Sequence, residues 1–97
     1  MKRYRLTSAA DRDLRKIAKY TLKLWGVKQR EAYISELFDA FERLSTSPEI
    51  AVSIDVIRKG YKKFPQASHV IFFRLDNHRG IEIIRVLHKR MDIELHI

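Results

Sequence analysis

The chain opens on an alternation. In "KRYRLT", Tyr4 and Leu6 fall on one side and Arg3 and Arg5 on the other, which predicts a short half-buried strand. The period then lengthens. Ser8, with Asp11 three residues on, reads as a capping box built with Asp and opens a helix. Ala10, Leu14, Ile17, Ala18, Thr21 and Trp25 recur at spacings of three and four and give one apolar stripe. Arg12, Arg15, Lys16, Lys19 and Lys23 take the remaining surface. Gly26 has the backbone freedom to stop the helix. A second helix restarts at once, with an inner stripe of Ala32, Tyr33, Leu37, Ala40, Phe41 and Leu44 widened by Ile34 and Phe38. So wide a stripe predicts contact on two sides, with the first helix and with a sheet. The "WGV" between them leaves room only for an antiparallel helical hairpin. Ser45 to Pro48 closes it, and residues 49–57, "EIAVSIDVI", fit either an irregular connection or a short helical turn.

From Gly60 the period is two. "GYKKF", closed by Pro65, predicts a short basic strand whose lysines suit a sheet edge. "SHVIFFRL" and "IEIIRVLH" are rich in β-branched and aromatic residues and are joined by "DNHRG", a hairpin loop with Gly. Pairing Leu75 with Ile81 sets a register. Arg74 then opposes Glu82 as a charge pair, Phe73 opposes Ile83, Phe72 opposes Ile84, Ile71 opposes Arg85 and Val70 opposes Val86. Both faces are largely apolar, so both are expected to be covered, one by the hairpin. Leu87 ends the strand, and His88, Lys89 and Arg90 leave the sheet. Beyond them Met91, Ile93, Leu95 and Ile97 alternate with Asp92, Glu94 and His96, as in an extended segment laid over the face the helices leave open. The architecture is α+β: an antiparallel helical hairpin on a small, mostly antiparallel sheet, in the order β-α-α-β-β-β, as one domain over residues 1–97.

Composition adds constraints. Apolar residues at 45% and charged ones at 33% argue against disorder. The absence of cysteine excludes disulfides and thiolate sites. "MKRYRLTSAA" carries charge with no apolar run behind it, unlike a signal peptide, and no stretch nears the ~20 apolar residues of a membrane span. The expected location is the cytoplasm. Lys and Arg total 20 against 12 acids, a net charge of +8. That excess points to an acidic partner (nucleic acid, an acidic protein segment or anionic lipid) or to a merely solvated basic surface.

Candidate chemistry is sparse. Gly26, Gly60 and Gly80 are scattered, so there is no glycine-rich phosphate loop. His69, His78, His88 and His96 lack metal-ligand spacing, and no metal or cofactor is expected. Metal-free RNA cleavage would need a general base, a general acid and cations for the phosphorane. Arg58, Lys62, Lys63, Arg74 and Arg85 offer charge, and His88 can move a proton near neutral pH. Each also has a structural reading: Arg74 beside Glu82, the two lysines guarding an edge, Arg85 snorkelling beside Ile71. For stacking on bases only Tyr4, Tyr61 and Phe64 stand among basic residues, and all three fit core positions equally well.

Taken in order, "YRLTSAADRDLRKIAKYTLKLWG", "YISELFDAFERLSTSPEI", "IRKGYKKF", "HVIFFRL" and "IEIIRVLHKRMD" resemble the ParE toxins of the RelE/ParE toxin–antitoxin superfamily over nearly the whole chain. The sharpest elements are Trp25-Gly26, the strand His69 to Arg74, and Arg85-Val86-Leu87-His88 followed by Arg90-Met91-Asp92. Two departures are Val27, where relatives often carry Pro, and the apolar "AVSIDVI" in place of a charged loop. The resemblance implies a toxin that inhibits DNA gyrase and is neutralised by a cognate ParD-like antitoxin in a hetero-oligomer. It implies no catalytic residue, no membrane, and nucleic-acid contact only through gyrase or within the antitoxin complex. Candidate target contacts are Arg58, Arg74, Arg85, His88, Arg90 and Met91; candidate antitoxin contacts are Tyr61, Lys62, Lys63 and Phe64. The alternative is a RelE-like ribosome-dependent mRNA endoribonuclease. Such members commonly carry a late aromatic or His-Tyr pair, whereas here Lys89 follows His88 and the last tyrosine is Tyr61.

Overall fold

The structure is a computed structural model and describes residues 3–97; Lys2, part of the opening alternation, lies outside the described residues. Strand β1 (Tyr4–Leu6) leads into helices α1 (Ser8–Trp25) and α2 (Val27–Thr46). A 3-10 turn at Pro48–Ile50 precedes β2 (Val52–Ser53), β3 (Tyr61–Gln66), β4 (His69–Leu75) and β5 (Ile81–His88), and a second 3-10 turn spans Ile93–Leu95. The sheet runs β1-β5-β4-β3-β2, with β1 parallel to β5 and the other pairs antiparallel. The α+β order expected from the pattern holds, with one addition. The two-residue β2 forms inside the segment 49–57 and pairs with Lys62 and Lys63. These lysines are therefore interior to the sheet, and β2 is the edge strand.

Thr7, not Ser8, caps α1. Its hydroxyl oxygen accepts the Ala10 N–H at 3.0 Å and its proton goes to the Ile84 carbonyl at 2.8 Å, so one side chain starts the helix and fastens it to β5. Gly26, at φ +90°, closes α1 and begins α2. Its N–H reaches the Leu22 carbonyl and its own carbonyl accepts the Arg30 N–H, which reverses the chain in a single residue.

The hairpin packs Leu14, Ile17, Leu37, Phe41 and Leu44 onto Ile71, Phe73, Ile81, Ile83 and Val86. Full burial of a side chain of this size stabilises by about 1.5–3 kcal/mol. The predicted stripes fail at their ends: Trp25 is 71% exposed and Ala32 is also exposed, because the cover runs out at the hairpin tip. On the opposite sheet face Ile54, Phe72 and Leu87 form a second cluster with Tyr61, Val70, Ile93 and Ile97.

The β4–β5 register matches expectation for Leu75–Ile81, Arg74–Glu82 and Phe73–Ile83 and then slips by one residue. Phe72 opposes Arg85, Ile71 opposes Val86, Val70 opposes Leu87 and His69 opposes His88, leaving Ile84 as the extra residue of a bulge. The expected pairs Phe72–Ile84, Ile71–Arg85 and Val70–Val86 do not form. An unbroken ladder would place Arg85 beside Ile71 in the hairpin core, whereas the bulge turns it to the other face and seats Val86 there instead. The strand also runs to His88 rather than stopping at Leu87, and β3 continues through Pro65 to Gln66.

The tail is not extended. The Met91 N–H returns to the His88 carbonyl at 2.9 Å, and the Asp92 carboxylate caps the following turn through the Glu94 N–H at 2.9 Å. Coiling places Ile93 and Ile97, four apart, on the sheet and leaves Met91 at 51% and Leu95 at 79% exposure.

Candidate functional site

Three of the four arginines singled out in the sequence are tied into the fold. Arg85, re-aimed by the bulge, meets Asp13 of α1 in a two-pronged pair, Nε to Oδ2 at 2.8 Å and NH2 to Oδ1 at 2.9 Å. Asp13 Oδ2 also accepts the Val86 N–H at 2.9 Å, closing the part of β5 that extends past β1. Donating to the Asp13 carboxylate raises the Arg85 pKa above its ordinary value, against the opposing effect of burial. The third prong of Arg85, NH1, donates to the His96 carbonyl at 3.0 Å. Arg58 NH1 donates to the Ile97 main-chain oxygen at 3.0 Å, and its guanidinium lies 5.6 Å from the Tyr61 ring centre. Both arginines thus hold the tail on the sheet. Arg74 pairs with Glu82 at 2.9 Å, as its register predicts. Asp13 went unnoticed in the sequence, although an acid three residues after Ala10 and four before Ile17, at the margin of an apolar stripe, is the available signal.

The candidate antitoxin strand divides between the two faces. Lys62 and Phe64 lie opposite Phe73 and Ile71 on the hairpin side, with Phe64 against the main core and the Arg43 guanidinium 5.7 Å from its ring centre. Tyr61 and Lys63 lie opposite Arg74 and Phe72 on the tail side. Lys63 is exposed on β3, and Arg90 and Met91 are exposed where the chain leaves β5.

His88 belongs to a cluster that no sequence spacing reveals, since its members come from α2, β4 and β5. The Tyr33 hydroxyl lies 2.6 Å from His69 Nδ1, and the Ser68 N–H donates to that hydroxyl at 3.3 Å. The His69 and His88 rings meet edge to face, 5.6 Å between centres. His88 Nδ1 in turn accepts the Arg90 N–H at 3.2 Å. Burial, and next the neighbouring His88, push the His69 pKa down, with Asp13 opposing. Burial is also the main cause of the raised Tyr33 pKa. These groups floor a cleft of about 350 Å³ whose walls include Tyr20, Leu24 and Trp25 of the hairpin tip. With Tyr20 at 65%, Leu24 at 51%, Trp25 at 71% and Val27 at 54% exposure, the tip is an apolar surface on a highly charged protein. Among the described residues no three His, Asp or Glu side chains converge to hold a metal ion, and no helix is long and apolar enough to cross a membrane.

A helical hairpin on this five-stranded sheet, with its central arginines spent internally and an apolar tip exposed, has the fold of the RelE/ParE superfamily. Residues 4–93 match the family described as "ParE toxin of type II toxin-antitoxin system, parDE", and the chain belongs to that family. It is 41% identical over 92 residues to Toxin ParE1 of Mycobacterium tuberculosis H37Rv, covering 95% of this chain and 94% of that one. It is 37% identical over 97 residues to Toxin ParE1 of Caulobacter vibrioides, covering 100% and 99%. A solved structure titled "Chromosomal ParDE TA system from P. aeruginosa" superposes with a TM-score of 0.76 over 91% of this chain and 96% of that one. At 17% identity it shares the fold.

Proposed function

We propose that this ParE-family toxin inhibits DNA gyrase and is held inactive by a ParD-like antitoxin, acting through surface recognition rather than by catalysis. The observation that carries this reading is the fate of the arginines. Arg85 and Arg58, which a phosphorane would need free, are engaged by Asp13 and by the tail carbonyls, and Ile93 and Ile97 cover the sheet face between them. A poison needs only to bind one state of its target better than the other, here the DNA-cleaved state over the resealed one. Arg90 and Met91 are the proposed target contacts. For the antitoxin, an acidic amphipathic segment that folds on contact suits the apolar hairpin tip and the strand region from Arg58 to Phe64. The ParDE title of the structural neighbour supports such a pairing. The test is purified gyrase supercoiling and DNA cleavage run beside in vitro translation. Loss of supercoiling with trapped cleavage is expected; arrested translation with fragmented messenger RNA and untouched gyrase would overturn the proposal in favour of the RelE-like activity.

A further inference from the structure

Five cations line α1, and the proposed function uses none of them. Arg15 is paired with Asp11 at 2.9 Å. The other four, Arg12, Lys16, Lys19 and Lys23, are exposed and make no ion pair among the described residues. Their spacing of four, three and four sets them in one narrow row, turned away from the face that buries Ala10, Leu14, Ile17 and Thr21. At 1.5 Å per residue the row is about 16 Å long.

A merely solvated helix face mixes signs, and α2 does so. It carries Glu31, Glu36, Asp39 and Glu42 alongside Lys28, Arg30 and Arg43. On α1 the two acids are consumed by Arg15 and Arg85, so no carboxylate interrupts the row. Like charges three and four apart weaken a helix, and the same net charge spread over the surface would avoid that repulsion. We propose that this face of α1 binds the phosphate backbone of duplex DNA directly and without reading sequence. Along about 16 Å one strand of a duplex presents about five phosphates, a close match in length and number to four cations on a rigid rod. Contacts from such a row to phosphate oxygens position a protein on DNA and carry no sequence information. A straight, preset array favours a stiff polyanion over a flexible acidic peptide. The contact requires no other protein, so it stands or falls separately from gyrase inhibition.

The test is fluorescence anisotropy of the full chain with a labelled 20-base-pair duplex (about 20 suffices to span the row) between roughly 50 and 200 mM salt. The expected plot of log K against log salt has a slope of about −3 to −4, and a scrambled duplex of equal length binds equally. Lys16→Gln/Lys19→Gln should flatten the slope by about 2, whereas Arg79→Gln, which removes an exposed cation in the β4–β5 turn, should change it by less than about half a unit. Circular dichroism is the check that each variant keeps its helices, and antitoxin binding is measured in parallel. The proposal fails if no binding occurs at the lowest salt, or if Arg79→Gln flattens the slope as much, per charge removed, as Lys16→Gln/Lys19→Gln does. It also fails if the double variant loses the antitoxin and keeps the DNA, which would assign the row to an acidic protein.

Discussion

Among the described residues Asp13 is the one buried charged side chain, and its removal makes a quantitative test. Its carboxylate is 9% exposed and serves Arg85 twice and the Val86 N–H once. Stranding one member of a buried pair costs about 3–5 kcal/mol, toward the lower end here because Arg85 keeps 22% of its side chain in solvent. An unsatisfied buried N–H adds about 1–3 kcal/mol, not fully additive. Asp13→Ala should therefore cost about 4 kcal/mol, a large share of the 5–15 kcal/mol that holds a domain of roughly this size. Asp13→Asn retains an acceptor for Val86 and should cost about 2–3 kcal/mol. Urea unfolding with a constant m-value measures both, and Tm should fall by about 15–30 °C for Asp13→Ala at about 4–8 °C per kcal/mol. In a double-mutant cycle with Arg85→Met, a coupling of at least about 2 kcal/mol is expected. A loss below about 1 kcal/mol for Asp13→Ala, or a coupling near zero, would mean that water screens the pair and that the bulge is held by packing alone.

Deleting residues 92–97 removes Ile93 and Ile97 from the second cluster and one hydrogen bond from each of Arg58 and Arg85, so stability should fall by about 2–4 kcal/mol. Toxicity falling only in step marks a seal, whereas toxicity lost from a protein that still melts normally and still binds its antitoxin marks a target contact. Lys62→Ala and Lys63→Ala should leave toxicity within a few-fold, because surface recognition of gyrase stabilises no phosphorane; a loss of about a hundredfold would indicate cleavage chemistry. His69 has a folded pKa below its ordinary 6.5, so the unfolded chain takes up its proton first. The stability linked to His69 is thus complete well above pH 6.5 and is lost as pH falls from there toward the depressed folded value, by at most about 1.4 kcal/mol per pH unit. His69→Gln should flatten the urea midpoint between about pH 7.5 and 5.5, and an unchanged slope would deny His69 this role.

Much of this protein is local and therefore legible in its sequence. The helices declare themselves because the burial of Leu14, Ile17, Leu37 and Phe41 follows a period set by helix geometry alone. Gly26 and the Arg74–Glu82 pair follow from backbone freedom and from counting outward from a short turn. The family is legible for the same reason, since its signature is an ordered series of such local segments. What required the tertiary structure is whatever depends on partners far apart in the chain. The bulge at Ile84 exists because Arg85 must leave one face for Val86 to enter it, and Asp13, 72 residues earlier, is what receives the arginine. The Tyr33–His69 contact joins residues 36 apart, and Thr7 wins the cap from Ser8 because its hydroxyl also finds Ile84 across 77 residues. The tail shows the limit most plainly. Its alternation predicts a strand, but a strand needs a neighbour's ladder. Where the two arginines meet the tail, they offer donors to the carbonyls of His96 and Ile97, and Asp92 offers a cap, so the segment coils instead.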